Sequence, residues 1–91
     1  MAKLNKGVIN YAARRGIELE FYKDEEKELL LFWDAKEDCE WMFDYRIEND
    51  GYHFNANIYG DREMVEELPA WIPDDKKLKE VINFVAGYLN N

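Results

Sequence analysis

Residues 17–59 read IELEFYKDEEKELLLFWDAKEDCEWMFDYRIENDGYHFNANIY, and the fold turns on how apolar residues are spaced within them. Ile17, Leu19 and Phe21 alternate with Glu18, Glu20 and Tyr22. A period of two marks a half-buried strand, because successive strand side chains point to opposite faces. Lys23-Asp24-Glu25-Glu26-Lys27 is a charged turn, and Glu28 to Trp33 is a second strand that is apolar on both faces. Asp34-Ala35-Lys36-Glu37-Asp38 is the next turn. From Cys39 to Glu48 the alternation is strict, with Cys39, Trp41, Phe43, Tyr45 and Ile47 on one face and Glu40, Met42, Asp44, Arg46 and Glu48 on the other. Asn49-Asp50-Gly51 carries the Asp-Gly hairpin signal. A fourth strand runs from Tyr52 to Tyr59, and Gly60 ends the sheet.

On either side of this stretch the period changes to that of a helix. Leu4, Val8, Tyr11 and Ala12 share one face of a helix from about Asn5 to Arg15, with Gly16 suited to the position after its end. Downstream, Asp61 caps a short helix to about Leu68, with Met64, Val65 and Leu68 as its apolar side. Pro69-Ala70-Trp71-Ile72-Pro73 is a rigid connection with Trp71 as a large anchor. Asp74 caps a last helix whose stripe is Leu78, Val81, Ile82, Val85 and Leu89. The chain is thus expected to be one small acidic α+β domain over residues 1–91, in the order α-β-β-β-β-α-α. Short connections imply a four-stranded antiparallel β-meander. Single apolar stripes let the N-terminal helix and the C-terminal helices pack on one face of it.

Register follows if inward residues must oppose inward residues, since a one-residue slip turns every side chain over. The first hairpin then pairs Phe21 with Leu29, Leu19 with Leu31 and Ile17 with Trp33. The second pairs Trp33 with Cys39, Leu31 with Trp41 and Leu29 with Phe43. In the third, Asp50-Gly51 as the turn sets Ile47 against Phe54, Tyr45 against Ala56 and Phe43 against Ile58. A two-residue slip with Asn49-Asp50 as the turn keeps the same parity and stays open. The expected core is Trp33, Trp41, Phe43, Phe54 and Ile58 packed on Val8, Val81, Ile82 and Val85.

The expected outer face has an apolar centre of Leu30, Phe32, Met42, Tyr22 and Tyr59, surrounded by Glu18, Glu20, Glu28, Glu40 and Asp44. An apolar centre inside a charged rim is the anatomy of a protein–protein interface, and an uncovered patch of this kind marks a contact surface. These ten residues are the candidate partner-binding set.

Composition bounds what such a surface does. The 91 residues carry a net charge of −8, with 47% hydrophobic residues, enough to build a core. The charge is uneven: residues 1–17 carry +4, residues 18–67 carry −12, and residues 68–91 are neutral. An acidic middle repels phosphate backbones, which argues against direct nucleic-acid binding, and it speeds the encounter with a basic partner. Solubility alone is a sufficient reason for such charge. The sequence contains no Ser, Thr or Gln, so it offers no hydroxyl nucleophile of the serine or threonine kind. No apolar run approaches the roughly 18 residues of a membrane span. A lone Cys39 and the lack of an apolar leader after Met1-Ala2-Lys3 suggest the cytoplasm.

Motifs for chemistry are sparse. His53, the one histidine, is placed outward opposite Glu48 and reads as a surface ion pair. Cys39 falls on the inward parity and reads as buried and inert. The acid clusters at Asp24–Glu28 and Asp34–Glu40 lack the ligand alternation and central glycine of a calcium loop, and read as solvated turns. No phosphate loop, dinucleotide fingerprint or C-x-x-C is present. No cofactor, metal or catalytic residue is therefore expected. The function expected is that of a non-catalytic protein-binding module. It resembles in class the small acidic inhibitors, immunity-type or phage-encoded, some of them nucleic-acid mimics, that block a basic site on a partner such as a nucleic-acid-handling enzyme. The alternative is a structural or chaperone-like homodimer joined through the same sheet face.

Overall fold

A computed structural model describes residues 6–37 and 39–90. The elements are α1 (Lys6–Ala13), β1 (Ile17–Lys23), β2 (Glu28–Asp34), β3 (Phe43–Glu48), β4 (Gly51–Asn57), α2 (Arg62–Glu66), β5 (Trp71–Ile72) and α3 (Asp75–Leu89). The class is α+β with an antiparallel sheet in the order β1-β2-β3-β4-β5. The sheet has five strands rather than four. The expected rigid connection supplies the fifth, where Ile72 pairs with Tyr52 and Trp71 with His53. Leu4 and Asn5 of the expected first helix, and Asp38 of the second turn, lie outside the described residues.

Helix boundaries follow from their caps. Asp61 accepts the Glu63 amide and Asp74 accepts the Lys77 amide, each satisfying a donor that the first helical turn leaves open. Gly16 ends the turn after α1 at φ +85, a conformation that glycine takes without steric cost. The core joins Val8 and Ala12 of α1, Met64 of α2, and Leu78, Val81, Ile82 and Val85 of α3 to the sheet. On the sheet side it consists of Ile17, Leu30, Phe32, Met42, Phe43, Tyr45, Ile47, Tyr52 and Ile72. Phe32 stacks on Phe43 with ring centroids 4.6 Å apart, and Tyr45 meets Phe54 edge-on at 5.4 Å. The Tyr45 hydroxyl donates to the Pro69 carbonyl at 2.6 Å, so the buried phenol has its partner, and burial pushes its pKa up.

The first and last long helices clasp each other. The Arg15 guanidinium lies 3.6 Å from the centre of the Tyr11 ring, and its Nε donates to Asn83 Oδ1 at 2.9 Å. The Asn83 amide donates in turn to the Tyr11 hydroxyl at 2.7 Å.

Register departs from expectation by one residue in the first hairpin. Phe21 pairs with Leu30, Leu19 with Phe32 and Ile17 with Asp34. The cause is the turn. Asp24 closes on Lys27 through its amide at 3.0 Å, while its carboxylate accepts the Glu26 and Lys27 amides at 2.8 Å each. This even-membered Asx-type turn fixes an odd sum of paired residue numbers, and a strand apolar on both faces offers no resistance. Leu30 and Phe32 therefore face the helices, each 0% exposed, and Leu29, Leu31 and Trp33 face outward.

In the second hairpin Phe32 pairs with Phe43, and β3 begins only there. Residues 39–42 are not strand, which frees Met42 to turn into the core at 2% exposure and Trp41 to turn out. The Met42 carbonyl receives the amides of Ile58, Tyr59 and Gly60, tying down the end of β4. Cys39 is exposed, not buried. The third hairpin takes the alternative with Asn49-Asp50 as the turn: Ile47 pairs with Tyr52 and Tyr45 with Phe54. A bulge at Asn55 then moves Phe43 opposite Asn57, and Ile58 ends exposed rather than in the core.

Candidate functional site

With the helices on one side, the other face of the sheet carries a second apolar cluster. Leu29 and Leu31 are each 5% exposed yet stand apart from the main core. Their cover is lateral. Trp33 and Trp41 lean together with centroids 6.1 Å apart and planes at 57°. With Tyr22 they wall a groove of about 410 Å³ over the two leucines.

Each indole N–H of this pair is met by a carboxylate. Trp33 Nε1 donates to Glu20 Oε1 at 3.0 Å, and Trp41 Nε1 donates to Asp44 Oδ2 at 2.9 Å. The other oxygen of Asp44 accepts from Asn55 Nδ2 at 2.8 Å, an amide that the β4 bulge brings onto this face. Asp44 is 2% exposed, so two neutral donors hold a buried carboxylate with no cation among its bonded partners. At the far end the Tyr22 hydroxyl donates to Asp24 Oδ2 at 3.3 Å. The amides of Glu26 and then Lys27 hold the Asp24 carboxyl below its usual pKa, so it stays charged in mildly acidic solution. The groove is thus apolar in its floor and walls, with Glu20 and Asp24 at its ends, Asp44 beneath its rim and Lys27 as the one cation among its lining residues.

The ten residues expected to form the partner surface divide between places. Glu18, Glu20 and Tyr22 lie exposed on the outer side of β1, and Asp44 is buried beside the groove. Leu30, Phe32 and Met42, expected at the centre of that surface, are core residues instead. Glu28 lies across from Lys23 at the sheet's end, with a 3.8 Å ion pair, and not on the outer face. Glu40 and Tyr59 line a separate shallow cavity with Glu37 and Cys39. Burial, then the charges of Asp34, Glu37 and Glu40, raises the Tyr59 pKa. The residues missed are Leu29, Leu31, Trp33 and Trp41. Turn length was the signal that would have found them: Asp24 at the head of a four-residue turn sets the parity of β2.

The two residue types with chemical potential sit apart. His53 faces Arg46 rather than Glu48, and its Nε2 lies 2.8 Å from Asp50 Oδ1, a contact that lowers the Asp50 pKa. Glu37, by hydrogen bond and charge, raises the Cys39 pKa, which is the opposite of thiolate activation.

Because Asp44 serves two donors, Asp44→Asn is expected to set an amide N–H against one of them. A cost of about 1–3 kcal/mol follows, read as a lower urea midpoint with the slope unchanged. An unchanged midpoint would show that water replaces the carboxylate without loss.

The chain matches no family model, no curated protein and no solved structure, so its functional reading rests on this geometry.

Proposed function

We propose that the protein is a non-catalytic binding module that presents the Trp33–Trp41 groove and its acidic surround to a basic surface of a partner protein. The observation that carries this reading is the groove itself: two leucines and two tryptophans gathered on the sheet face away from the helices, with Glu20 and Asp44 bonded to the indoles. Aromatic faces flanked by carboxylates suit a guanidinium group, which gains cation–π and charge-assisted contacts together. The acidic middle of the chain supplies long-range attraction. A small acidic inhibitor that occupies a phosphate-binding site, of the immunity or phage anti-defence kind, would work in this way, and the cytoplasm is where such a target would be met. Self-association through the groove is the competing use, and it sets acid against acid across the seam.

The test is capture from a lysate by immobilised wild-type chain and by Trp33→Glu/Trp41→Glu. A partner held by wild type at low salt, lost in the double variant and released as salt rises is the expected result, since screening weakens the charge contribution. Identical capture by both chains would remove the groove from the binding surface. A dimer in light scattering that the double variant makes monomeric would favour self-association.

A further inference from the structure

The two edges of the sheet are unequal. β5 is two residues long and lies between Pro69 and Pro73, so it offers almost nothing to pair with. β1 is seven residues long, contains no proline, and pairs with β2 without a register shift. No described residue pairs with its other side. Phe21 and Tyr22 stand 43% and 45% exposed on it.

Which backbone groups are open follows from the ladder. The Ala35 amide donates to the Gly16 carbonyl, and the Asp24 amide donates to the Lys27 carbonyl. These bonds bracket β1 and place its even-numbered residues in hydrogen-bonded pairs with β2. The N–H and C=O groups of Leu19, Phe21 and Lys23 therefore point away from the sheet. Around this edge runs a cavity of about 520 Å³. Glu18, Leu19 and Glu20 line it in succession, with Ile9 and Ala13 of α1 on one side and Trp33 on the other. A cavity lined by consecutive residues of one strand wraps the strand's edge.

We infer that β1 accepts an added antiparallel strand from the partner, an extended segment in which basic and apolar side chains alternate. The inference rests on the protein-binding reading for the charge of the partner and adds the backbone edge as the means of holding it. Opposite Glu18 and Glu20 the incoming strand places its basic residues; opposite Leu19 and Phe21, above Ile9 and Ala13, it places its apolar ones. A second copy of the chain is a poorer occupant. Antiparallel self-pairing centred on Leu19, Glu20, Phe21 or Tyr22 always sets two acids opposite each other: Glu18 with Glu20, Glu20 with Glu20, Glu18 with Asp24, or Glu20 with Asp24.

The probe is the capped peptide Arg-Val-Arg-Val-Arg-Val, titrated against tryptophan fluorescence of the intact chain. In the antiparallel arrangement the valine amides face β1 and the arginine amides face solvent. N-methylation of the valines should weaken binding at least tenfold, and N-methylation of the arginines should leave it within about twofold. Phe21→Pro should weaken the unmodified peptide at least tenfold with the circular dichroism spectrum retained, because that proline removes only an outward-facing N–H. Should this variant fail to fold, the methylated pair decides alone. Equal sensitivity to both methylations, the reverse order, or no binding overturns the strand addition. Binding that is indifferent to methylation yet lost when Glu replaces Arg in the peptide leaves the basic-partner reading standing while the edge falls. Methylation-sensitive binding that Glu-Val peptides share retains the edge and removes the charge rule. A chain that is dimeric until Phe21→Pro makes it monomeric assigns the edge to a second copy and overturns the proposal.

Discussion

Met42→Lys is expected to unfold the protein. Read as one of an alternating run, Met42 belongs with the polar residues of the outer face, where lysine would be harmless. In the folded chain it is 2% exposed among the buried residues of the main core, and its carbonyl gathers three amides from the end of β4. An ammonium group there has no carboxylate within the cluster, and burying an unpaired charge costs several kcal/mol. A small domain has only about 5–15 kcal/mol of stability to lose. The measurement is a thermal melt beside Trp41→Lys, one residue away on the outer face, which should keep a cooperative transition. A folded Met42→Lys with a midpoint near wild type would mean that residues 39–42 alternate as a strand after all.

The second large effect belongs to Gly51. Its φ is +129, and an added Cβ would meet the Ile72 carbonyl oxygen at 2.2 Å and Pro73 Cα at 3.0 Å. Both neighbours are backbone, so neither moves out of the way as a flexible side chain would. Gly51→Ala should cost about 2–4 kcal/mol through combined dihedral strain and the separation of β5 from β4. Gly16→Ala is the control. Its φ of +85 carries strain, but open space surrounds the position, and the cost should stay near 1–2 kcal/mol. Urea midpoints of the two variants give the comparison. If they fall together, the close approach of Ile72 contributes nothing.

Much of this architecture was legible in the sequence because the signals were local and redundant. Asp61 and Asp74 each sit where a cap must, and α3 carries an unbroken stripe from Leu78 to Val85. The parity of β1, and of β3 from Phe43 to Ile47, was legible because polar residues alternate with apolar ones there. β2 was not, since Leu29-Leu30-Leu31-Phe32-Trp33 is apolar throughout and either face satisfies the core. The decision fell to a turn whose chemistry lies in one side chain, Asp24. A strand pattern read through Cys39–Met42 then carried the error across the sheet, placing both tryptophans inside. The outward apolar residues of β2 are therefore Leu29, Leu31 and Trp33 in place of the expected Leu30 and Phe32. Trp71 shows a different gap. Its two-residue strand is too short for any periodicity and is defined by its pairing with Tyr52 and His53, and the expected anchor Trp71 is 49% exposed, held by its indole N–H on the Asp50 carbonyl.

The clasp between Tyr11, Arg15 and Asn83 has a kinetic meaning. The first three hairpins join neighbours in sequence, so their loops close within microseconds at small entropic cost. Arg15 and Asn83 lie 68 positions apart, and their meeting must wait until the intervening chain is already folded back. A contact that forms this late is expected to act more on how long the native state persists than on the speed of its formation. On that expectation the clasp acts as a latch that holds α3 over the sheet beneath it.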